Sequence, residues 1–138
     1  MVTRQEKEAN ARFSQRYGEE RGDVVRAIEL AVIGGDWGAN GYTTVAQADQ
    51  LAAVLELGTG SMVLDVGAGR GWPGLYLASR TGCSVVMTDV PVEGLASARE
   101  RGQREGLDDR TWPVNASARE LPFPPEIFDA VVHTDVLC

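Results

Sequence analysis

The chain has 138 residues, of which 43% are hydrophobic and 24% charged, and its formal net charge is −7. These values are typical of one globular domain and exclude a disordered or fibrous protein. The acidic balance argues against a nucleic-acid partner, because duplex binders usually carry a basic surface. No apolar run approaches the ~20 residues that span a bilayer, and the polar start does not resemble a signal peptide. We therefore expect a soluble, cytoplasmic protein without a membrane partner.

Cysteine and histidine are scarce. The chain contains Cys83, Cys138 and His133. The two cysteines do not form a CxxC pair, and three such residues cannot make a credible cysteine and histidine metal site. We expect neither a disulfide framework nor a bound metal.

The first 60 residues predict a helical region. Apolar side chains four residues apart predict a helix over residues 5–17, and Asp23 can cap a second helix. The apolar face expected for that second helix consists of Val24, Ile28, Ala31 and Val32. We interpret residues 1–60 as a helical cover, with a lid over a substrate site as the alternative.

A loop and a third helix complete this region. Residues 33–44 contain four glycines and form a loop by composition. Thr44 and Gln47 have the spacing of a capping box, which predicts a helix that begins after Thr44. Gly58 is the expected stop of that helix.

Beyond residue 60, short apolar strands alternate with helices. The predicted strands cover residues 62–66, 84–88, 111–115 and 128–133, and the helices between them begin near Pro73 and Val92. This alternation predicts an α/β fold with a Rossmann-like parallel sheet flanked by helices. Pro113 cannot donate a ladder hydrogen bond, so we expect the third strand at an edge.

The turn after the first strand is rich in glycine, and acidic residues stand on both sides of it. Residues 67–71 read Gly-Ala-Gly-Arg-Gly, and Asp89 ends the next strand 22 residues after Gly67. Ligands of open α/β sheets bind beyond the carboxyl ends of the strands, and an acid at this place can accept both hydroxyls of a ribose. Asp65 lies inside the first strand, where a carboxylate needs a partner. Trp72 occupies the third glycine position of the dinucleotide fingerprint GxGxxG, which disfavours a nicotinamide oxidoreductase.

Residues 63–71, Val-Leu-Asp-Val-Gly-Ala-Gly-Arg-Gly, resemble the first motif of the class I S-adenosylmethionine-dependent methyltransferases. Asp89 resembles their ribose-binding acid. Residues 121–123, Leu-Pro-Phe, and 128–132 resemble the segment that leads into their fourth strand. With three motifs in the family's order, the chain looks like a methyltransferase of the type 11-like group. Residues 37–44 resemble, less specifically, the region before the first motif in some of these enzymes.

The resemblance implies a cofactor site for S-adenosylmethionine. The backbone of Gly67 and Gly69 would contact its methionine part, with Ala68 between them in the same site. Asp65 would orient this turn and reach the methionine ammonium through water. Asp89 would hold the ribose hydroxyls, and Val90 would flank the adenine.

Three further residues follow from the resemblance. Ser117 stands where many family members have an aspartate that contacts the adenine amino group, a departure that lowers the expected affinity. Ala118 would add a backbone contact beside it. His133 follows the fourth strand, near the expected position of the methyl group or the acceptor, but no catalytic base is assigned. The acidic composition favours a small-molecule acceptor.

The resemblance also implies that the family sheet continues beyond the fourth strand. Residues 61–138 would then be the cofactor-binding half of a methyltransferase domain, with the C-terminal half of its sheet missing. The fourth strand would present an unpaired edge, and we expect a homodimer or exchange of elements through it. Two alternatives remain open: a non-catalytic domain that binds the cofactor or serves in assembly, and, less favoured, the oxidoreductase.

Overall fold

The computed structural model describes residues 2–136. The strands of this part of the chain form a four-stranded parallel sheet in the order β3-β2-β1-β4. The strands are β1 (Met62–Val66), β2 (Ser84–Asp89), β3 (Thr111–Asn115) and β4 (Ala130–Val132). The helices are α1 (Arg4–Gly18), α2 (Asp23–Ile33), α3 (Val45–Val54), α4 (Gly74–Thr81) and α5 (Val92–Arg104). The predicted α/β fold with its parallel sheet is therefore confirmed.

The core lies where α4 and α5 cover the central strands. Val63 on β1, Val85 and Met87 on β2, and Leu75 and Leu77 on α4 have no exposed surface. Strands in a parallel sheet are buried on both faces, which accounts for their continuous apolar sequences. This packing fixes the carboxyl ends of β1 and β2 side by side, because the two strands pair from Met62 with Ser84 to Val66 with Thr88.

The strand predictions differ from the structure mainly in β4. The range of β1 is confirmed, and β3 pairs with β2 at an edge of the sheet, as Pro113 predicted. The fourth strand was predicted over residues 128–133 but extends only over Ala130–Val132. Before it, the Asp129 carboxylate accepts a hydrogen bond from the Met62 N–H at 2.8 Å, which marks the start of the pairing with β1.

The prediction for the buried face of α2 is wrong. Val24 is 73% exposed, Ile28 58% and Val32 50%, whereas Glu29 and Ile33 are buried. Glu29 is buried because its carboxylate accepts hydrogen bonds from the Trp37 and Ala39 N–H groups. These bonds turn the Glu29 side of the helix inward, which the apolar periodicity of the sequence did not reveal.

The start of α3 was predicted correctly and its end was not. Thr44 and Gln47 form the expected capping box. The helix ends at Val54, and Glu56, with φ 51°, takes the left-handed position that was expected at Gly58. The N–H of Leu57 donates to the Ala52 carbonyl at 3.0 Å, and that of Glu56 to Ala53 at 3.2 Å. These bonds form a Schellman motif without glycine.

Gly74, the first residue of α4, lies against the strands so closely that a larger residue should destabilise the fold. A Cβ added there would stand 2.7 Å from Asp65 Oδ2 and 3.1 Å from the Met87 and Val85 side chains. We expect Gly74→Ala to lower the free energy of unfolding by about 1–3 kcal/mol, measured by urea denaturation. Gly58→Ala is the control, because a Cβ at Gly58 meets nothing within 4 Å. Equal stability of the two variants would contradict this close packing.

No helix within residues 2–136 is both long enough and apolar enough to cross a membrane.

Candidate functional site

A cavity of about 430 Å³ opens beyond the carboxyl ends of β1 and β2. Its floor is the turn that follows β1, together with Asp89 and Val90 at the end of β2. Its other walls come from α1, from the loop before α3, and from residues 134–136 after β4. The cavity therefore lies at the edge of the sheet where ligands of open α/β folds bind.

The glycine-rich turn uses its amide groups within the protein. The N–H groups of Gly67 and Ala68 donate to the Thr88 carbonyl at 2.8 and 3.0 Å, and that of Gly69 donates to Asp89 Oδ2 at 2.7 Å. Gly69 has φ 53°, and a Cβ there would stand 2.7 Å from the Tyr17 hydroxyl. Glycine is thus required both by conformation and by space. These three N–H groups are therefore engaged within the protein and are not available to a ligand.

Asp89 is held rigidly at the end of β2. Its Oδ2 accepts the Gly69 N–H, and its Oδ1 accepts the Val90 N–H at 2.7 Å. Burial raises the pKa of the carboxyl, while the two N–H groups oppose the rise. Each carboxylate oxygen can accept more than one hydrogen bond, and Asp89 lines the cavity. The side chain can therefore receive two adjacent hydroxyl groups from a ligand.

Asp65 is buried behind the turn and does not line the cavity. Its Oδ2 accepts the N–H of Gly74 at 2.9 Å, so it holds the start of α4. Its Oδ1 has no hydrogen-bond partner within residues 2–136. Burial raises the pKa of this carboxyl to about 8; the Gly74 N–H opposes the rise, and the nearby Asp89 adds to it. A buried oxygen without a partner is costly, and a cationic ligand group above the turn would offset that cost.

The roof of the cavity contains residues that sequence reasoning did not assign to a site. Tyr17 of α1 is buried, and burial, reinforced by Asp89, raises the pKa of its phenol. Asn40 also lines the cavity, and its Oδ1 is buried without a hydrogen-bond partner in the described part of the chain. The helical spacing of Tyr17 was visible in the sequence, but its contact with Gly69 depends on how α1 packs.

A polar link joins the roof to the end of β4. The Asp135 carboxylate accepts hydrogen bonds from the Thr43 N–H at 3.1 Å and from the Thr43 hydroxyl at 2.8 Å. Thr134 and Asp135 line the cavity, as do Gly38 and Gly41 of the loop. Segments from both ends of the described chain therefore close the same cavity.

Apart from Asp65, which lies behind the turn, the predicted site residues fall into two groups. Gly67, Ala68, Gly69, Asp89 and Val90 come together around the cavity. Within residues 2–136, the cavity is not lined by Ser117, Ala118 or His133. Ser117 Oγ instead accepts the Arg119 N–H at 3.2 Å, and Ala118 and His133 are exposed. Their contact with a cofactor stays a prediction.

Comparison with known proteins gives consistent matches. Residues 63–138 match the family described as "Methyltransferase domain". The chain is 40% identical over 83 residues to the methyltransferase GfsG of Streptomyces halstedii, which covers 60% of this chain and 30% of that protein. It is 33% identical over 88 residues to the 27-O-demethylrifamycin SV methyltransferase of Amycolatopsis mediterranei, which covers 64% of this chain and 32% of the relative. The chain thus spans about a third of the length of these relatives.

Solved structures with the same fold extend the match into the N-terminal region. A SAM-dependent methyltransferase from Thiobacillus denitrificans, in complex with S-adenosyl-L-homocysteine, has a TM-score of 0.63 at 20% identity; the match covers 85% of this chain and 45% of that one. The [4+2]-cyclase SpnF has a TM-score of 0.63 at 26% identity, over 86% of this chain and 46% of that one. The first similarity concerns the fold alone, and the second shows that the fold also serves a protein named for another reaction.

Proposed function

The chain belongs to the methyltransferase domain family, and on that premise we propose that it transfers a methyl group from S-adenosylmethionine to a small-molecule acceptor. S-adenosylmethionine is the cofactor of such a protein. The observation that carries the proposal is the pairing of Asp89 with the glycine turn at one cavity. There a rigid carboxylate offers oxygens to two hydroxyl groups, and the glycine turn lines the same cavity.

The residues of the cavity fit the cofactor by charge and by hydrogen-bonding type. Asp89 would hold the ribose hydroxyls, and Val90, which is 38% exposed beside it, would contact the adenine. Behind the turn, the Asp65 carboxylate, whose Oδ1 has no hydrogen-bond partner in the described chain, would favour the methionine ammonium through its charge. When bound, S-adenosylmethionine supplies a methyl group that its sulfonium already activates. The protein residues then contribute mainly orientation and exclusion of water.

We infer a small acceptor from the charge of the chain. The cavity volume of about 430 Å³, within the ordinary range of small-molecule pockets of about 300–1,000 Å³, suits the cofactor itself. The chain as a whole is acidic, at −7, which does not suit a nucleic-acid acceptor. Ser117, Ala118 and His133 remain proposed as additional contacts to the adenine or the acceptor.

Calorimetric titration with S-adenosylmethionine, with its demethylated product S-adenosylhomocysteine and with NADH tests this function. We expect micromolar binding of the first two and none of NADH. Binding of NADH alone would favour the oxidoreductase and refute the proposal. A mass-spectrometric assay for S-adenosylhomocysteine formed with a panel of small hydroxyl and amine acceptors then separates a methyltransferase from a non-catalytic binding domain. Because SpnF is named as a cyclase, this product assay is required in addition to binding.

We further propose that the edge strand β4 mediates a homodimer. In the described part of the chain β4 pairs with β1 along one side only, and Val131 on it is 56% exposed. An unpaired apolar edge of this kind invites pairing with a second copy. Light scattering should give twice the chain mass, and Val131→Lys should reduce it to that of a monomer. A monomeric wild type at 100-fold the concentration used for calorimetry would contradict the proposed dimer.

The proposal keeps the division of the chain into a helical cover, residues 1–60, and a cofactor-binding part, residues 61–138. The packing of α1 on α5 and of α3 on α4 supports it. A cytoplasmic location also stays part of the proposal.

A further inference from the structure

A second cavity, of about 330 Å³, lies between α2, the loop that follows it, and α5. Its walls contain an unusual number of basic side chains. They are Arg21, Arg26, Arg70, Arg101 and Arg104. These are five of the 13 basic residues of a chain whose net charge is −7. The local accumulation of positive charge therefore runs against the overall composition.

Three of these arginines are fixed in place by other groups. Arg21 forms an ion pair with the buried Glu29 at 2.8 Å and a second with Asp36. The Arg101 guanidinium lies 4.2 Å from the centre of the Trp37 ring. Arg70 donates to the carbonyl groups at the end of α1, including that of Tyr17 at 3.1 Å. The positive wall is thus preorganised, so a ligand would order few side chains on binding.

The other two arginines are not neutralised. Within residues 2–136, neither Arg26 on α2 nor Arg104 on α5 has a carboxylate within 4.0 Å. The acids among the lining residues are Asp36, which already pairs with Arg21, and Glu100. Burial lowers the pKa of the Arg21 guanidinium, the Glu29 carboxylate opposes this change, and repulsion from Arg26 and Arg101 adds to it. Outside the wall, Glu29 pairs with Arg21 and Glu105 with Arg101 at 2.7 Å. Five arginines thus stand against four acids, so the cavity keeps an excess of positive charge.

We propose that this cavity binds a phosphoryl group of a small phosphorylated molecule. Two guanidinium groups without ion-pair partners, one on α2 and one on α5 in the wall of the same cavity, match the charge of a phosphate dianion better than that of a single carboxylate. Guanidinium groups also bind phosphate through paired hydrogen bonds. The recessed shape suits a small molecule rather than a macromolecular backbone. Because Gly38 and Arg70 line both cavities, the phosphate site adjoins the proposed cofactor site.

The test is calorimetry at low ionic strength, since salt screens exposed charges, with pyrophosphate, inorganic phosphate, acetate and a short RNA duplex as probes. We expect pyrophosphate to bind with a dissociation constant below 1 mM and acetate at least tenfold more weakly. Arg26→Ala and Arg104→Ala should each weaken pyrophosphate binding at least tenfold. Both side chains are exposed, so neither change should alter the melting temperature appreciably. We also measure S-adenosylmethionine binding by these variants. Retained cofactor binding shows that only the phosphate site is lost.

Arg99→Ala is the matched control, because Arg99 is an exposed arginine of the same helix outside the cavity wall. It should leave pyrophosphate binding within twofold of the wild type. If Arg99→Ala and Arg104→Ala weakened pyrophosphate binding equally, the effect would arise from net charge alone and the proposed site would be overturned. Absence of pyrophosphate binding, acetate binding as tight as pyrophosphate, or tighter binding of the RNA duplex would overturn it as well. These outcomes are independent of whether the chain transfers methyl groups.

Discussion

Asp89→Ala is expected to weaken S-adenosylmethionine binding at least about 100-fold. The substitution removes two charge-assisted hydrogen bonds to the ribose, each of which contributes about 1.5–3 kcal/mol. It also leaves the Gly69 N–H without its acceptor, so the turn loses the group that fixes it. Isothermal titration calorimetry gives the affinity directly, and thermal melting without ligand reports how much of the effect is structural.

Asp89→Asn separates the loss of the ribose hydrogen bonds from the loss of the contact with Gly69. The amide oxygen can keep the bond to Gly69, but the nitrogen cannot accept a hydroxyl proton. We expect its affinity to fall between those of the wild type and Asp89→Ala. Asp109→Ala, which removes an exposed acid remote from the cavity, controls for net charge. Unchanged affinity in Asp89→Ala would refute the ribose assignment.

Asp65→Asn is expected to stabilise the protein at pH 8 and to weaken its affinity for the cofactor. In the native state the pKa of Asp65 is about 8, raised mainly by burial from an ordinary value of 3.8. Between these two pH values the native protein holds a proton that the unfolded chain has released. Stability therefore falls as the pH rises through this window, by up to about 1.4 kcal/mol per unit. Asparagine does not titrate, and its oxygen can still accept the Gly74 N–H.

Urea denaturation of both proteins from pH 4 to pH 8 checks this expectation. The free energy of unfolding of Asp65→Asn should equal that of the wild type near pH 4 and exceed it by a few kcal/mol at pH 8. Conversely, a ligand ammonium favours the ionised carboxylate, so the wild-type affinity for S-adenosylmethionine should increase from pH 6 to pH 8. That increase should be absent in Asp65→Asn. A constant stability difference across the whole range would mean that Asp65 does not titrate there.

The sequence predicted the part of the fold that depends on local signals. The apolar strand Met62–Val66 and the Thr44 capping box follow from residue types and short spacings, and the structure has both. The residues at the floor of the site could also be predicted, because glycines and an acid at the ends of adjacent strands must lie together in a parallel sheet.

What the sequence did not predict depends on contacts between distant segments. The inward side of α2 is set by hydrogen bonds of Glu29 to the loop at Trp37 and Ala39, which outweigh its apolar periodicity. The role of Asp65 at the start of α4, rather than at the turn, depends on how closely Gly74 approaches β1. Tyr17 enters the site only because α1 packs over the turn. None of these contacts leaves a local pattern in the sequence.

The link between Thr43 and Asp135 has a consequence for the order of folding. These residues are 92 positions apart, and contacts of such long separation form late because closing the intervening loop costs entropy. The sheet can form around the glycine turn before the cavity has its walls. A ribosome-bound chain would therefore gain affinity for the cofactor only after residue 135 has emerged. Ligand binding then stabilises only chains in which these walls have closed, by mass action.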